Sequence, residues 1–250
     1  MTSDASYGEF AYIYDALTDD VEYEKRAKYI KTLIQRHRSE KSTLLCDLGC
    51  GTGSMCRLLS GYGFDVIGID NSDAMLSVAA EKNTDGKVLY LCQDMTDFEL
   101  YGTVDVCTCL LDSINYVTDL AELDRMFALV NNYLNPGGMF IFDVNTEHKF
   151  RDILGNNTYV YEKDNIFYTW ENFYEDGILD FYLNFFIEQD GVYRRASEHH
   201  VQRYHCSELL KRLCVENGLT VEAVYDDLTQ NLPSSDSERV FFVVKKLGSR

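Results

Sequence analysis

The stretch Leu44-Leu45-Cys46-Asp47-Leu48-Gly49-Cys50-Gly51-Thr52-Gly53 reads as a buried strand that ends in an acidic residue and a glycine turn, with a helix beginning just beyond. A short apolar run closed by glycines fits a parallel strand covered on both faces. The turn then falls at the carboxyl edge of a sheet, where open α/β folds bind ligands. Glycines serve such a turn in two ways: one takes a backbone conformation closed to other residues, and another lets a ligand or helix approach the backbone. Further on, Phe64-Asp65-Val66-Ile67-Gly68-Ile69-Asp70 reads as a second strand ending in Asp70, where a βαβ unit offers a carboxylate to a ribose. This pair alone suits nicotinamide and other adenosine ligands equally. Asp47 separates them, because a carboxylate so close to the first glycine repels a pyrophosphate and suits a ligand with a cationic ammonium and no phosphate. The chemistry expected is an adenosine joined to an amino acid.

The chain has 250 residues, 46% hydrophobic and 13% aromatic, which fits one large α/β domain or one domain with an insertion. Its formal charge of -18 opposes a nucleic-acid backbone, and no basic cluster in the sequence offsets it. A small-molecule substrate is therefore favoured over DNA or RNA. Of the eight cysteines, Cys46, Cys50, Cys107 and Cys109 lie in or beside apolar strand patterns and the rest are scattered. They read as reduced, mostly buried thiols of a cytoplasmic protein, and Cys46 and Cys50 lack a second pair with which to make a zinc site. No signal-peptide pattern and no membrane-spanning apolar run is visible.

Along the chain, residues 21–38 form an amphipathic helical pattern through Tyr29, Ile30, Leu33 and Ile34. Short helices are expected over 52–60 and from Ser72 onward, the second capped by Asn71 or Ser72. Strands are expected over 87–92, 104–110 and 139–144. Between the last two, a helix over 120–134 repeats Leu123, Met126, Phe127 and Val130 and is stopped by the turn Asn135-Pro136-Gly137-Gly138. From 158 to 204 the pattern changes to alternating aromatic and polar residues, broken at Glu175-Asp176-Gly177 and Gln189-Asp190-Gly191, which are hairpin signals. This reads as an inserted antiparallel β-meander, serving as a substrate lid or as a scaffold or dimer surface. A helix over 207–217 with Gly218 as its cap and two strands over 219–225 and 239–245 complete the chain. The organisation expected is an N-terminal helical cap (1–42), a core (43–150), the insertion (151–205) and a C-terminal completion of the core (206–250).

Four blocks carry a resemblance: Asp47 to Gly53, Gly68-Ile69-Asp70-Asn71-Ser72-Asp73-Ala74-Met75-Leu76, Gln93-Asp94-Met95, and Leu134-Asn135-Pro136-Gly137-Gly138. In order and spacing they resemble the class I S-adenosylmethionine-dependent methyltransferases, of the small-molecule, methyltransferase domain 25 type. The likeness runs to about residue 145 and resumes at Cys206. It implies a Rossmann-like α/β sheet with helices on both faces and S-adenosyl-L-methionine as cofactor. In such a site Gly49 and Gly51 approach the amino-acid part, beside Asp47, and Asp70 holds the ribose hydroxyls. Asp94 and Met95 lie by the adenine, and Leu110 touches the cofactor. Met75 lies against the adenine or fills the core, and Asp94 alternatively caps a helix. The aromatic N-terminal segment is either a packing helix or a cover, with Tyr14 at the cofactor carboxylate and Tyr7 closing the site.

On the acceptor side the resemblance offers Asp112, Asn115 and Tyr116 after the fourth strand, with Asn145 and Thr146 after the fifth. There is no Asn-Pro-Pro-Tyr or Asp-Pro-Pro-Tyr segment, as found in enzymes that methylate nucleic-acid bases. His199 and His200 point to opposite faces of a strand, so they do not share a metal, and no metal site is expected. The acid–base candidates are Asp112, Tyr116 and His200. The expected activity is methyl transfer to a small-molecule N or O nucleophile, with a homodimer as a possible assembly. The alternatives are a non-catalytic adenosyl-cofactor-binding protein and an RNA methyltransferase.

Overall fold

In the computed structural model, residues 11, 14, 15, 21–37 and 43–248 are described. Tyr7 lies outside them. In chain order the elements are α1 (Tyr23–His37), β1 (Leu44–Leu48), α2 (Ser54–Gly61), β2 (Asp65–Asp70), α3 (Asp73–Lys82), β3 (Val88–Cys92), β4 (Val104–Cys109), α4 (Leu120–Tyr133) and β5 (Leu134–Asn145). There follow β6 (Thr158–Lys163), β7 (Ile166–Glu175), β8 (Ile178–Gln189), β9 (Val192–Arg203), α5 (Ser207–Glu216), β10 (Leu219–Asp226) and β11 (Arg239–Lys246).

Seven strands form one sheet in the order β10-β11-β5-β4-β1-β2-β3. Strands β1 to β5 run parallel, while β11 is antiparallel to both β5 and β10. Because β1 lies between β2 and β4, the chain leaves it in one direction and later returns on its other side. Their carboxyl ends therefore flank a crevice, the place where open α/β sheets bind ligands.

The two-residue period of each strand sorts its apolar side chains onto two faces. On one face Cys46, Leu48, Phe140, Phe142 and Phe242 pack against Leu123, Met126 and Phe127 of α4 and Leu210 and Leu213 of α5. Leu45, Val66, Ile141 and Phe241 pack on the other against Ile30 and Leu33 of α1, Met55 and Leu59 of α2 and Leu76 of α3. Each such side chain, fully buried, contributes about 1.5–3 kcal/mol. Two layers of helix around one sheet follow directly from this division, and the sequence-based reading of a sheet covered on both sides holds.

The Asn135-Pro136-Gly137-Gly138 segment ends α4 as expected, but the chain does not leave the sheet there. Val104 pairs with Leu134 and Val106 with Met139, so the intervening residues bulge opposite Asp105. The Asp105 carboxylate organises the bulge: one oxygen accepts from Asn135 Nδ2 at 3.0 Å, the other from the Thr43 and Leu44 amides at 2.8 and 3.2 Å. Gly138 is needed there, since a Cβ would lie 2.7 Å from the Asn135 carbonyl oxygen.

Strands β6 to β9 form a separate four-stranded antiparallel sheet in sequential order. Its Asp176-Gly177 and Asp190-Gly191 turns have positive φ at both residues (48° and 79°, 52° and 79°), the geometry that matches the right-handed twist of a tight hairpin. A π-helical turn, Lys149–Leu154, leads into this sheet and was not foreseen. It buries Phe150 and Leu154 against Leu179 and Phe181 of β8, which seats the second sheet on the first. Among the described residues no helix is long and apolar enough to cross a membrane.

Candidate active site

The glycine turn after β1 is held to the end of β2. Gly49 and Cys50 donate their amides to the Ile69 carbonyl at 2.8 and 3.0 Å. Gly49 and Gly51 adopt φ of 69° and 54°, a region that strains any residue with a Cβ. Gly51 donates to Asp70 Oδ2 at 2.8 Å and Ser72 donates its amide to Asp70 Oδ1 at 2.9 Å. Backbone donors on both oxygens thus fix the carboxylate plane. Burial raises the Asp70 pKa above its ordinary value, against the opposing pull of these amides. Among the described residues a Cβ on Gly51 would meet no atom within 4 Å, whereas one on Gly49 would lie 2.8 Å from Ser113 Cβ. The backbone at Gly51 is therefore open on the side where a ligand would lie.

Asp94 and Met95 follow β3 at the same edge. Asp94 Oδ1 accepts from the Thr96 amide and hydroxyl, both at 2.7 Å, and Oδ2 accepts from Asn71 Nδ2 at 3.2 Å. Burial by itself raises the Asp94 pKa, but these donors outweigh it and hold it below the usual value. Capping of the Thr96 turn and a place beside Asn71 and Asp70 are thus both properties of this carboxylate. The Met95 methyl lies 3.1 Å from where a Gly49 Cβ would stand, so its side chain rests on the glycine turn. Ser72 Oγ caps α3 by accepting from the Met75 amide at 3.3 Å, and the Met75 side chain leans with Tyr14 on the apolar cluster of Ile166, Phe185, Ile187 and Ala196 in the second sheet.

Asp47 is only 2% exposed. Thr108 Oγ1 donates to its Oδ1 at 2.6 Å and Cys56 Sγ to its Oδ2 at 3.4 Å, and burial pushes its pKa up to about 6. Both oxygens thus already accept from side chains of β4 and α2.

The loop after β4 is the most constrained part of the site. Leu111 and Asp112 have φ of 57° and 53°, and their amides donate to the two carboxylate oxygens of Asp143 at 2.8 and 3.0 Å. Arg239 is buried, and its guanidinium pairs with Asp143 and also donates to Asp112 Oδ1 at 2.6 Å. Gln202 of β9 donates to Asp112 Oδ2 at 2.7 Å. The acid–base candidate Asp112 therefore has both oxygens engaged, one by a buried cation. Asn115 donates to the Arg203 carbonyl at 2.8 Å and accepts from the Asn145 amide at 3.0 Å, joining β9 to β5. Leu110 is buried directly before the loop and its carbonyl accepts from Ser113.

Tyr116 meets His200 edge-on at 5.8 Å, and His200 stacks on Phe181 at 4.9 Å. Burial, with a smaller contribution from His199, lowers the His200 pKa to about 4, so the ring is neutral at pH 7. His199 points to the opposite face and bonds Asp180 at 2.8 Å. Thr146 is taken up structurally: it donates its hydroxyl to the Ser237 carbonyl at 2.6 Å and accepts from the Lys149 amide.

Asp70, Gly49, Gly51, Asp94, Met95 and Met75 therefore gather at the ends of β1 to β3, while Leu110, Asp112, Tyr116 and His200 gather at the end of β4. Sequence reasoning passed over Asp143, Gln202 and Arg239. A carboxylate inside the apolar run of 139–144 and an arginine opening the apolar strand β11 were signals of a buried ion pair, since such groups are rarely buried without partners.

A family model described as a methyltransferase domain matches residues 45–138. A protein of Geobacillus sp. (strain WCH70), named as a methyltransferase, is 31% identical over 247 residues, 96% of this chain and 100% of its own length. The solved structure of an S-adenosylmethionine-dependent methyltransferase from Clostridium acetobutylicum ATCC 824 superposes with a TM-score of 0.89 at 33% identity, covering 97% of this chain and 99% of that one. A dTDP-3-amino-3,6-dideoxy-alpha-D-glucopyranose N,N-dimethyltransferase of Streptomyces fradiae is 31% identical over 138 residues, 54% of this chain and 53% of its own length. Similarity of this extent, on a fold that sets an open glycine turn beside a fixed carboxylate, means that the chain belongs to the class I S-adenosylmethionine-dependent methyltransferases and uses S-adenosyl-L-methionine as its cofactor.

Proposed function

We propose that this enzyme methylates a nitrogen or oxygen of a small molecule held between the carboxyl edge of the main sheet and the inner face of β6 to β9. The observation that carries this reading is the fastening of the second sheet over the site: Gln202 to Asp112, the Arg203 carbonyl to Asn115, and His200 against Tyr116. A sheet fastened there would cover an acceptor of modest size. The net charge of -18 argues in the same direction against a nucleic acid. The Streptomyces relative, named for an amino-sugar acceptor, agrees with a small-molecule substrate.

The donor sites fit the cofactor. Asp70, with its plane fixed by Gly51 and Ser72, would accept from the ribose hydroxyls, and the open backbone at Gly51 would admit the amino-acid part. Asp94, Met95 and Met75 would flank the adenine, with Leu110 and Tyr14 closing the other side. Asp47 would add a negative field behind the turn. S-adenosylmethionine supplies a methyl group on a positively charged sulfur, a leaving group that needs no acid to help it depart. What remains for the protein is to align the acceptor, exclude water and remove its proton. Asp112 acts here as a positioning residue, because its oxygens are held by Arg239 and Gln202. The rings of Tyr116, His200 and Phe181 form the acceptor wall.

Calorimetric titration of purified protein with S-adenosylmethionine and S-adenosylhomocysteine, followed by a screen of small amines and hydroxyl compounds for S-adenosylhomocysteine release, tests this. Micromolar binding and turnover with a small acceptor are expected. Turnover only with an RNA or protein acceptor would overturn the reading.

A further inference from the structure

One charged group on the inner face of the second sheet has no place in the scheme above. Along β9 the burial alternates: Ala196, Glu198 and Gln202 are buried, while Arg195, Ser197 and His199 are exposed. The inward row therefore runs Ala196, Glu198, His200, Gln202. Its two ends are anchored at the site, Gln202 on Asp112 and Ala196 in the cluster that includes Tyr14 and Met75. Glu198 lies between these anchors. It is 3% exposed, and its Oε1 has no hydrogen-bond partner among the described residues.

A second orphaned group shares its row. Trp170 pairs with Leu183, and Leu183 with Glu198, so these three lie side by side across β7, β8 and β9. Trp170 Nε1 is also buried without a partner among the described residues. Buried polar atoms are almost always satisfied, and an orphaned acceptor and an orphaned donor in one row mark the place where a polar ligand completes the site. The surroundings specify its charge. Phe181 stacks on His200 and meets Trp170 at 5.8 Å, an aromatic wall that favours a cation, as does a carboxylate.

We infer that the acceptor is an amine and that Glu198 recognises it, binding the ammonium and taking the proton the nitrogen must lose before it can attack. One N–H bond of the ammonium breaks with its electron pair left on nitrogen, and the proton bonds to the Glu198 carboxylate, giving a neutral amine and a carboxylic acid. Burial supports the assignment by pushing the Glu198 pKa up to about 7, while His200, lowered to about 4, holds a proton poorly at neutral pH. The titratable groups described around this row include Tyr159 of β6 beside Trp170, Tyr168 of β7, Tyr14 of the N-terminal segment, Tyr116 of the loop after β4, and the Asp112 and Arg239 pair at the Gln202 end. This inference rests on the acceptor site proposed above.

The test uses the full chain saturated with S-adenosylhomocysteine and titrated calorimetrically with cyclohexylamine and with cyclohexanol, for the wild type, Glu198→Gln and Glu198→Leu. The wild type should bind the amine at least about tenfold more tightly than the alcohol, the gain expected of a charge-assisted hydrogen bond. Both variants should lose that preference and keep the wild-type affinity for S-adenosylhomocysteine. Glu198→Leu should also melt at or above the wild-type temperature, because a carboxylate kept for a ligand destabilises the empty protein. If S-adenosylhomocysteine binds but the amine is not preferred, or the preference survives in Glu198→Gln, the inference is overturned while the cofactor site stands. A Glu198→Leu protein that melts well below the wild type overturns it too, by showing a structural role. Failure of S-adenosylhomocysteine to bind removes the underlying reading and the inference with it.

Discussion

Asp70 and Gly51 act as one unit: the Gly51 amide donates to Asp70 Oδ2 at 2.8 Å, so the turn after β1 sets the carboxylate at the end of β2. Substituting Asp70→Ala should lower affinity for S-adenosylmethionine by at least about tenfold, since a bidentate carboxylate contact is worth about 1.5–3 kcal/mol. Asp70→Asn should fall between the two, because it keeps one acceptor oxygen. Calorimetry on the three proteins would check the order.

Gly51 and Gly53 separate ligand space from packing. Both have positive φ, so alanine at either costs about 1–2 kcal/mol in backbone strain. At Gly51 a Cβ meets no described residue, whereas at Gly53 it would strike the Tyr90 hydroxyl and press on Ala79. Gly53→Ala should therefore destabilise more in chemical denaturation, and Gly51→Ala should lose more cofactor affinity than its small stability change explains. Equal binding by Gly51→Ala and wild type would contradict the open-backbone argument.

Arg239 holds two carboxylates that have little access to water. Removing it as Arg239→Ala leaves Asp112 and Asp143 without the guanidinium that pairs them, which should cost about 3–5 kcal/mol. Arg239→Lys restores the charge but not the fork that reaches both acids, so a partial rescue is expected. Urea denaturation gives the magnitudes. A loss below about 1 kcal/mol in the alanine variant would show that the pair is not a structural tie.

The Gln202 to Asp112 hydrogen bond joins the second sheet to the loop after β4. Gln202→Ala should leave S-adenosylhomocysteine affinity unchanged while raising KM for the acceptor. If cofactor affinity fell in parallel, the contact would be supporting the whole site and not the acceptor side alone.

Two buried groups set opposite pH trends. His205, which bonds the Val117 carbonyl at 3.1 Å, has its pKa lowered by burial to about 4. The unfolded chain takes up its proton first as pH falls, so this residue's contribution to stability is lost between about pH 6.5 and 4, by an amount on the order of 3 kcal/mol. Glu198 has the reverse sign: with a pKa of about 7 it binds its proton more tightly when folded, so its contribution falls as pH rises from about 4.5 to 7. Denaturation curves of His205→Gln and Glu198→Gln against pH should therefore diverge from wild type in opposite directions, the first toward acid and the second toward neutrality.

Much of the core was legible because its signals are local. The Asp47 to Gly53 block, the strand ending in Asp70 and the helix capped by Ser72 each lie within a few residues, where apolar period and turn chemistry decide the conformation. Two hairpins of the second sheet were legible for the same reason, since Asp176-Gly177 and Asp190-Gly191 dictate two-residue turns, whereas the Asp164-Asn165 turn between β6 and β7 was not read. Asn135 to Gly138 was only half legible: proline and glycines end a helix, but whether the chain then exits or bulges depends on Asp105, on another strand.

What the sequence by itself determined was the order of elements, the sheet faces and the carboxylates presented at the edge, because the two-residue and helical periods leave few other ways to bury its apolar side chains. Only the tertiary structure decided what those carboxylates do. Asp112 and Arg239 are separated by 127 positions in the chain, yet they share a buried hydrogen bond. Asp47 closes on Thr108 and Cys56, while Glu198 is carried into a buried row beside Leu183, its Oε1 without a hydrogen-bond partner among the described residues. The physical reason is desolvation: the energy of a charge depends on which distant segments exclude water around it, and that exclusion exists only once the sheets have packed.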